Sequence, residues 1–311
     1  MTPASARPAL LMTAGLGTRL DPLTRVRAKP AIPVAGEPLV RRILAWLAAN
    51  DVTDVVLNLH HLPETLAAVV GDGSDLGVRA RYSWEQPVVL GSAGGPRQAL
   101  AILGAESFFL VNGDTLTDVS LRALAAAHDA SGALVTLALV PNTEPHRYGG
   151  VHLDTDGIVT GFPRRGDAAV GSFHFIGVQV ASAEVFRALP QGTPVNSIGA
   201  VYDALMAARH GSVRGFVCDA QFWDVGTPAD YLRTSAAFSG GADPRGRRVR
   251  IDSTARVNDS ILWDDVDVGA GCTLERCIVT DGVRVPAGSV HRNEILIASP
   301  EGTVAASALP H

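Results

Sequence analysis

Ala9-Leu10-Leu11-Met12-Thr13 runs directly into Ala14-Gly15-Leu16-Gly17-Thr18-Arg19-Leu20. The first five residues read as a short buried strand, and the next seven as a glycine-rich loop leaving its carboxyl end. Two glycines allow the backbone to approach a ligand closely and to aim N–H groups at phosphate oxygens. Arg19 adds a planar, multidentate donor for the same kind of oxygen. The loop is not a dinucleotide fingerprint, because the third glycine of G-x-G-x-x-G is absent, and it is not a P-loop, because no G-K-[ST] follows. Taken alone it indicates phosphate binding and nothing narrower.

Outward from this junction, short apolar strands alternate with helical patterns over about the first 240 residues. Pro38–Asn50 carries Leu39, Ile43 and Leu47 on one face of a helix, and Val52–Leu59 and Val78–Ser83 read as strands. Helix Gly95–Leu103, strand Phe108–Asn112, helix Leu121–Asp129 and strand Leu134–Val140 continue the alternation. This order predicts an α/β fold: a doubly wound, mostly parallel, Rossmann-like sheet with helices on both faces. Gly150–Leu153 and Ile158–Phe162 flank Asp154-Thr155-Asp156-Gly157, a hairpin signal. With strand Ser172–Ala181 they predict a β-rich insert on the sheet. Helices are expected near Ala183–Leu189, Ser197–Arg209, where Asn196 is placed to cap, and Asp230–Phe238.

Ser239–Arg248 reads as a linker, dominated by Gly, Pro and Arg, so a first domain is placed at 1–240 and a second at 249–311. That second domain repeats. Ser260–Arg276 aligns without gaps on Cys277–Asn293, an offset of 17. Ile251, Val268 and Val285 share the offset, as do Leu262, Val279 and Leu296, and Val257 and Leu274. Three apolar columns describe a triangular coil of about three turns, each stacked on the next, with an ordinary β-hairpin array as the alternative; the expected form is the coil, a short hexapeptide-like, left-handed parallel β-helix. So short a solenoid buries little alone and is expected to lean on the main domain or another subunit, which leaves room for a homo-oligomer.

Composition narrows the partners. A net charge of −5 gives no global basic field for nucleic acid. Three cysteines, Cys218, Cys272 and Cys277, without C-x-x-C spacing, argue against a disulfide framework. The apolar run at the start is too short for a signal sequence or membrane span. The expectation is a cytoplasmic, soluble protein.

The wider stretch is more specific than its glycines. Gly15-Leu16-Gly17-Thr18-Arg19-Leu20-Asp21-Pro22-Leu23-Thr24, then Ala28-Lys29-Pro30-Ala31-Ile32-Pro33-Val34-Ala35-Gly36-Glu37-Pro38-Leu39, resembles the signature of the sugar-1-phosphate nucleotidyltransferase family with its spacing intact. By that resemblance, Ala14, Gly15, Leu16, Gly17 and Thr18 hold base and triphosphate, while Arg19 and Lys29 grip phosphates as catalytic residues.

Two aspartates follow. Asp114 ends Val111-Asn112-Gly113-Asp114 at the carboxyl end of a buried strand, where open α/β sheets place ligand groups, and Asp224 lies in Phe222-Trp223-Asp224-Val225-Gly226-Thr227-Pro228. Mg2+ favours carboxylate oxygen together with substrate phosphates. The resemblance implies that these two positions supply the metal carboxylates. Glu85-Gln86-Pro87-Val88-Val89-Leu90-Gly91-Ser92-Ala93-Gly94-Gly95 resembles the family's L-G-T-A-G segment, which lies against the base, with Ser92 keeping the usual hydroxyl. Gln86, Gly91, Ser92 and Gly94 are its expected nucleotide contacts.

On the sugar side, Tyr148-Gly149-Gly150-Val151 resembles the segment whose glycine lies along the sugar, and Gly177 is expected beside it. Arg165 stands where the family's phosphate-binding Lys would be and keeps the charge. Arg164 stands in place of the sugar-binding Glu and reverses it. The two-part layout resembles mannose-1-phosphate guanylyltransferases, which implies GTP and mannose 1-phosphate as substrates and Mg2+ as cofactor. The first 240 residues also resemble uridylyltransferases acting on N-acetylmuramate 1-phosphate, which lack the solenoid. A non-catalytic, nucleotide-sugar-binding homologue is opposed by the intact Arg19, Lys29, Asp114 and Asp224. A hexapeptide acyltransferase would need more coils and a placed His. A glycosyltransferase would need an Asp-x-Asp motif where Gly113-Asp114-Thr115 stands.

Overall fold

The computed structural model describes residues 7–240, 245–299 and 304–309, so part of the expected linker and most of the N-terminal stretch lie outside the described residues. The chain forms two compact units. One holds residues 7–15, then Ile43–Pro63 and Val70–Phe222; the other holds Leu16–Arg42, Glu64–Val69 and what is described from Trp223 on.

The first unit is built on a seven-stranded sheet. Its strands are β1 (Ala9–Met12), β2 (Asp54–Leu59), β3 (Arg79–Trp84), β4 (Ser107–Asn112), β5 (Val135–Pro141), β6 (Phe173–Ser182) and β7 (Val213–Val217). The spatial order is β7-β5-β6-β4-β1-β2-β3. β1 pairs in parallel with β2 and β4, β2 with β3, and β5 with β7, while β6 runs antiparallel to both neighbours. The sheet is therefore mostly parallel, and its inner strands β1, β2, β4 and β5 are near-continuous apolar runs because both faces are covered, whereas the edge strand β3 carries Arg79 and Arg81.

The helices are α1 (Leu39–Ala49), α2 (Pro63–Val70), α3 (Gly91–Leu103), α4 (Leu121–Ser131), α5 (Glu184–Arg187), α6 (Tyr202–Ala208) and α7 (Pro228–Phe238). α1 buries Leu39, Ile43 and Leu47, the face read from periodicity. Leu10, Val56, Phe108, Leu110, Leu137, Leu139, Phe186 and Tyr202 form the core of the sheet with Ala93, Ala99 and Leu103 of α3.

Three expectations change. The strand expected near Ser172–Ala181 is not part of an insert; it is β6, in the middle of the main sheet. Apart from His174, Gln179 and Ser182 its residues are apolar or glycine, and nothing in such a run distinguishes an inserted strand from a central one. The insert reduces to His152–Leu153 paired with Val159–Gly161 across the Asp154–Gly157 turn, where Asp154 Oδ1 takes the Asp156 and Ile158 amides. In the expected Ser197–Arg209 helix, regular α-helix begins only at Tyr202, because Ile198 is extended and Gly199 has φ +83°. Asn196 caps nothing with its side chain.

In the second unit the repeat is a stack of parallel ladders. Arg250–Ile251, Asp267–Val268 and Arg284–Val285 form one; Arg256–Asn258, Thr273–Glu275 and Val290–Arg292 the next; Ile261–Leu262, Ile278–Val279 and Glu294–Ala298 the third. Every rung has the 17-residue offset: Ile251 faces Val268, which faces Val285, and Leu262 faces Val279, which faces Leu296. This is the short left-handed parallel β-helix expected from the sequence. Its interior is Leu262, Val266, Val268, Leu274, Val279, Val283, Val285 and Leu296, with Cys272 and Cys277 packed as small apolar side chains. All three cysteines are free thiols. Val304–Ala308 turns back antiparallel on Glu294–Ala298. Arg248 pairs with Asp265, and Arg250 with Asp267, along the same offset on the outside.

Candidate active site

The glycine loop begins in the first unit. Asn58, at the end of β2 and 1% exposed, accepts the Thr13 and Ala14 amides on its Oδ1, and the Thr13 hydroxyl donates to its carbonyl. Its Nδ2 donates to Glu85 Oε1 at 2.7 Å. Glu85 is equally buried and accepts the Leu90 amide on Oε2 at 2.7 Å. A buried amide and a buried carboxylate thus fix where β1 ends and where the Leu90–Gly95 segment begins. Gly95 is required here: a Cβ on it would stand 2.5 Å from Glu85 Oε1. Sequence reading assigned no role to Asn58 or Glu85. The signal available was a polar residue inside the apolar strand Val55–Leu59, which is unfavourable unless bonded.

The Gly91–Gly95 stretch is itself the first turn of α3, which starts four residues earlier than expected. The Ala93 and Gly94 amides already donate to the Val195 carbonyl, and Ser92 Oγ accepts from both the amide and the hydroxyl of Ser197. A Cβ at Gly94 would meet the Thr193 carbonyl at 2.5 Å, so this glycine serves close packing. Gln86 is exposed and Gly91 partly so.

Asp114 is half-buried just after β4. The preceding Gly113 donates to the Met12 carbonyl and comes so near that a Cβ would lie 2.5 Å from it. Gly177 stands at a register irregularity of β6 with φ +78°, and the Asn112 side chain occupies the space a Cβ would take, 2.8 Å away. The Val111–Asp114 turn and Gly177 are therefore packed together.

Tyr148 leads the expected sugar segment and stacks with His174 at 4.3 Å between centroids; His174 stacks with Phe222 at 4.9 Å, and Arg147 lies over the Tyr148 ring. Burial pushes the His174 imidazole below its usual pKa, so it is neutral near pH 7. Neither His174 nor Phe222 was singled out from sequence. Gly150 donates to the Pro163 carbonyl and Gly166 to that of Pro145, which brings Gly149 and Arg165 together, 3.8 Å from a Gly149 Cβ to the Arg165 nitrogen. Arg164 and Arg165 are both exposed.

The second unit gathers the other candidates. Gly17 has φ +63°, and a Cβ there would meet Thr24 Cγ2 at 2.8 Å and Lys29 Cβ at 3.1 Å. Leu16 and Thr18 are exposed beside it. Lys29 opens a short turn, Lys29–Ala31, and is 9% exposed. Asp224 and Arg19 converge on Gly226: a Cβ there would stand 2.7 Å from Asp224 Oδ2 and 3.2 Å from Arg19 Nη1. Thr227 then caps α7, accepting the Asp230 amide and donating to Asp230 Oδ2, with Pro228 at the first helical position. A carboxylate and a guanidinium are thereby held against the same glycine.

Residues 8–239 match the family model described as nucleotidyl transferase, and residues 246–291 match a GlmU-like, C-terminal hexapeptide model. A mannose-1-phosphate guanylyltransferase from Mycobacterium tuberculosis is 32% identical over 91% of this chain and 82% of its own length. An N-acetylmuramate alpha-1-phosphate uridylyltransferase from Neisseria meningitidis is 42% identical, over 37% of this chain and 50% of its own. Among solved structures, HddC from Yersinia pseudotuberculosis complexed with GMP-PN superposes with a TM-score of 0.64 at 21% identity, over 75% of this chain and 99% of that one, a likeness of fold. With a family match over residues 8–239 and a relative 32% identical over 91% of its length, the chain belongs to the nucleotidyl transferase family.

Proposed function

We propose that the protein joins GTP to mannose 1-phosphate, forming GDP-mannose and pyrophosphate. The observation that carries this reading is the similarity to the Mycobacterium tuberculosis guanylyltransferase, which runs through both the α/β part and the repeat. In the reaction a phosphate oxygen of the sugar phosphate attacks the α-phosphorus, and the bond from that phosphorus to the pyrophosphate oxygen breaks. The nucleophile is already ionised near neutral pH, so the protein needs no strong base and forms no covalent intermediate. Its task is to bring two polyanions together and to meet the charge growing on the leaving group.

Arg19 and Lys29 are assigned to phosphate oxygens, and Ala14, Gly15, Leu16, Gly17 and Thr18 to the base and triphosphate. Gln86, Gly91, Ser92 and Gly94 are assigned to the nucleotide side, with Ser92 and Gly94 acting through the packing described above. Gly149, Arg165 and Gly177 are assigned to the sugar phosphate. Asp114 and Asp224 are hard oxygen donors suited to Mg2+, and among the described residues no group of three or more His, Cys, Asp or Glu side chains is gathered for a metal. Mg2+ takes one or two protein carboxylates and completes its shell with substrate oxygens and water, and carboxylate oxygen at either position is chemically suited to it. When bound, such an ion would supply charge neutralisation at the α-phosphate. No helix among the described residues is long and apolar enough to cross a membrane. We place the enzyme in the cytoplasm, with the repeat available for self-association.

The segment of high identity to the Neisseria meningitidis enzyme favours a second reading, uridylyl transfer to N-acetylmuramate 1-phosphate. Pyrophosphate release is the test, measured with Mg2+, each NTP and a panel of sugar 1-phosphates. GTP with mannose 1-phosphate should give the highest kcat/KM, and a preference for UTP would overturn the first reading. Asp224→Asn should remove turnover while leaving the fold intact, and a chelator should do the same reversibly.

A further inference from the structure

We propose that Arg27 is a positioning residue for Lys29, and that carboxylates of two adjacent repeat coils hold it there. The inference rests on the assignment of Lys29 to substrate phosphate. Lys29 is the single lysine of the chain; the other 25 of its 26 Lys and Arg residues are arginines. It lies in a strap, Arg27–Pro33, that is tied at both ends to the repeat: by Arg27 to Asp264 and Asp281 of adjacent coils, and by Pro33 through Tyr231 to Trp263.

At the first end, Arg27 is only 13% exposed. Its Nε and Nη2 donate to the two oxygens of Asp281, each at 2.7 Å, and Nη2 also donates to Asp264 Oδ2 at 2.9 Å. Its guanidinium lies 5.4 Å from the centre of the Trp263 ring. At the other end, the Pro33 carbonyl accepts the Tyr231 hydroxyl, which in turn accepts the Trp263 indole N–H at 3.0 Å. Trp263 and Asp264 thus terminate both ties. Asp264 and Asp281 are equivalent positions of adjacent coils, and Asp281 Oδ1 also accepts the Asp264 amide at 3.1 Å. A forked cation fixed by two carboxylates has little rotational freedom, and Ala28, between Arg27 and Lys29, is pinned by its amide to the Thr65 hydroxyl. The strap therefore delivers the Lys29 ammonium from a fixed backbone, which is what a group stabilising transition-state charge requires.

Because Lys29 is the single lysine, its reactivity can be read directly. The experiment compares the wild-type chain, Arg27→Met, and a triple variant, Arg27→Met/Asp264→Asn/Asp281→Asn, in which both carboxylates facing Arg27 are neutralised as well. The triple variant removes the cluster without leaving buried carboxylates unpaired. Acetylation by an N-hydroxysuccinimide ester is followed by peptide mass spectrometry, which separates Lys29 from the N-terminal amine, and pyrophosphate release is measured on the same samples. Both variants should acetylate Lys29 at least about threefold faster and lose about ten- to a hundredfold in kcat. Arg27→Met should add little to the loss caused by Lys29→Met. Arg248→Met, which breaks the exposed pair with Asp265, should change neither rate. An unchanged Lys29 acetylation rate in a folded variant, or losses from Arg27→Met and Lys29→Met that multiply, would overturn the proposal. A wild-type chain that releases no pyrophosphate with any substrate pair would instead defeat the transfer reading, while the acetylation rates still decide whether Arg27 positions Lys29.

Discussion

The Trp263 indole donates to the Tyr231 hydroxyl at 3.0 Å, and the same hydroxyl donates to the Pro33 carbonyl; both aromatic side chains are fully buried. One oxygen therefore satisfies a donor and an acceptor that have no water to turn to. Tyr231→Phe keeps the ring and orphans both groups. It should cost about 1–3 kcal/mol in a denaturant titration. A loss below about 0.5 kcal/mol would mean that Pro33 and Trp263 find other partners.

Gly226→Ala tests the Arg19–Asp224 convergence. The new methyl would meet the ends of two side chains rather than backbone. The fold should absorb it, with a small change in Tm, by displacing the carboxylate and the guanidinium. Turnover should then fall about tenfold or more, the usual scale for misplaced charge-stabilising groups. Wild-type turnover in this variant would remove Arg19 and Asp224 from the reaction.

Asn58→Asp places a second carboxylate 2.7 Å from Glu85 Oε1 in a buried site. Two such groups cannot both ionise, so one would carry a raised pKa in the folded state. A raised folded-state pKa adds stability at low pH that is lost as pH rises through it. The variant should therefore be well below wild type at pH 7, with the gap narrowing towards pH 5. Melting curves across that range check it, and a gap independent of pH would be the contrary result.

His128 is buried in α4, hydrogen-bonded through Nδ1 to the Thr136 hydroxyl at 2.9 Å. Burial, reinforced by the nearby Arg7 charge, pushes its pKa from 6.5 down to about 4. A depressed histidine resists protonation in the folded state while the unfolded chain accepts the proton. Its contribution is complete above pH 6.5 and is lost as pH falls from there to about 4. The loss reaches about 3 kcal/mol at most. His128→Gln should flatten the stability profile over that window, as followed by urea unfolding at several pH values.

Much of this was legible in the sequence because it depends on local chemistry. The Gly15–Leu39 stretch carries its spacing along the chain, and Gly17, Gly113 and Gly177 are glycines for reasons of φ or close approach. The 17-residue repeat translated rung for rung into parallel ladders, since a coil places residue i directly on residue i+17. What escaped notice depends on pairing at long range. Phe173–Ser182 joins the main sheet because β4 and β5 leave a gap there, which its own residues do not declare. Asn58 meets Glu85 from 27 residues away, and Arg27 meets Asp281 from 254. Each of these residues has an ordinary surface reading until its partner is known.

The reversed strand Val304–Ala308 has a consequence for assembly. A column of parallel coils ends in open strand edges and invites another molecule to continue it by simple translation, the route to filaments. On the face that ends with Glu294–Ala298, the next position is occupied by a strand of the same chain running the opposite way. A further coil in the parallel sense finds no matching edge on that face. The last strand thus works as a stopper against head-to-tail growth, and it does so with five residues, four of them Ala or Ser in the run Ala305–Ala308, which offer an incoming strand little apolar surface to bury.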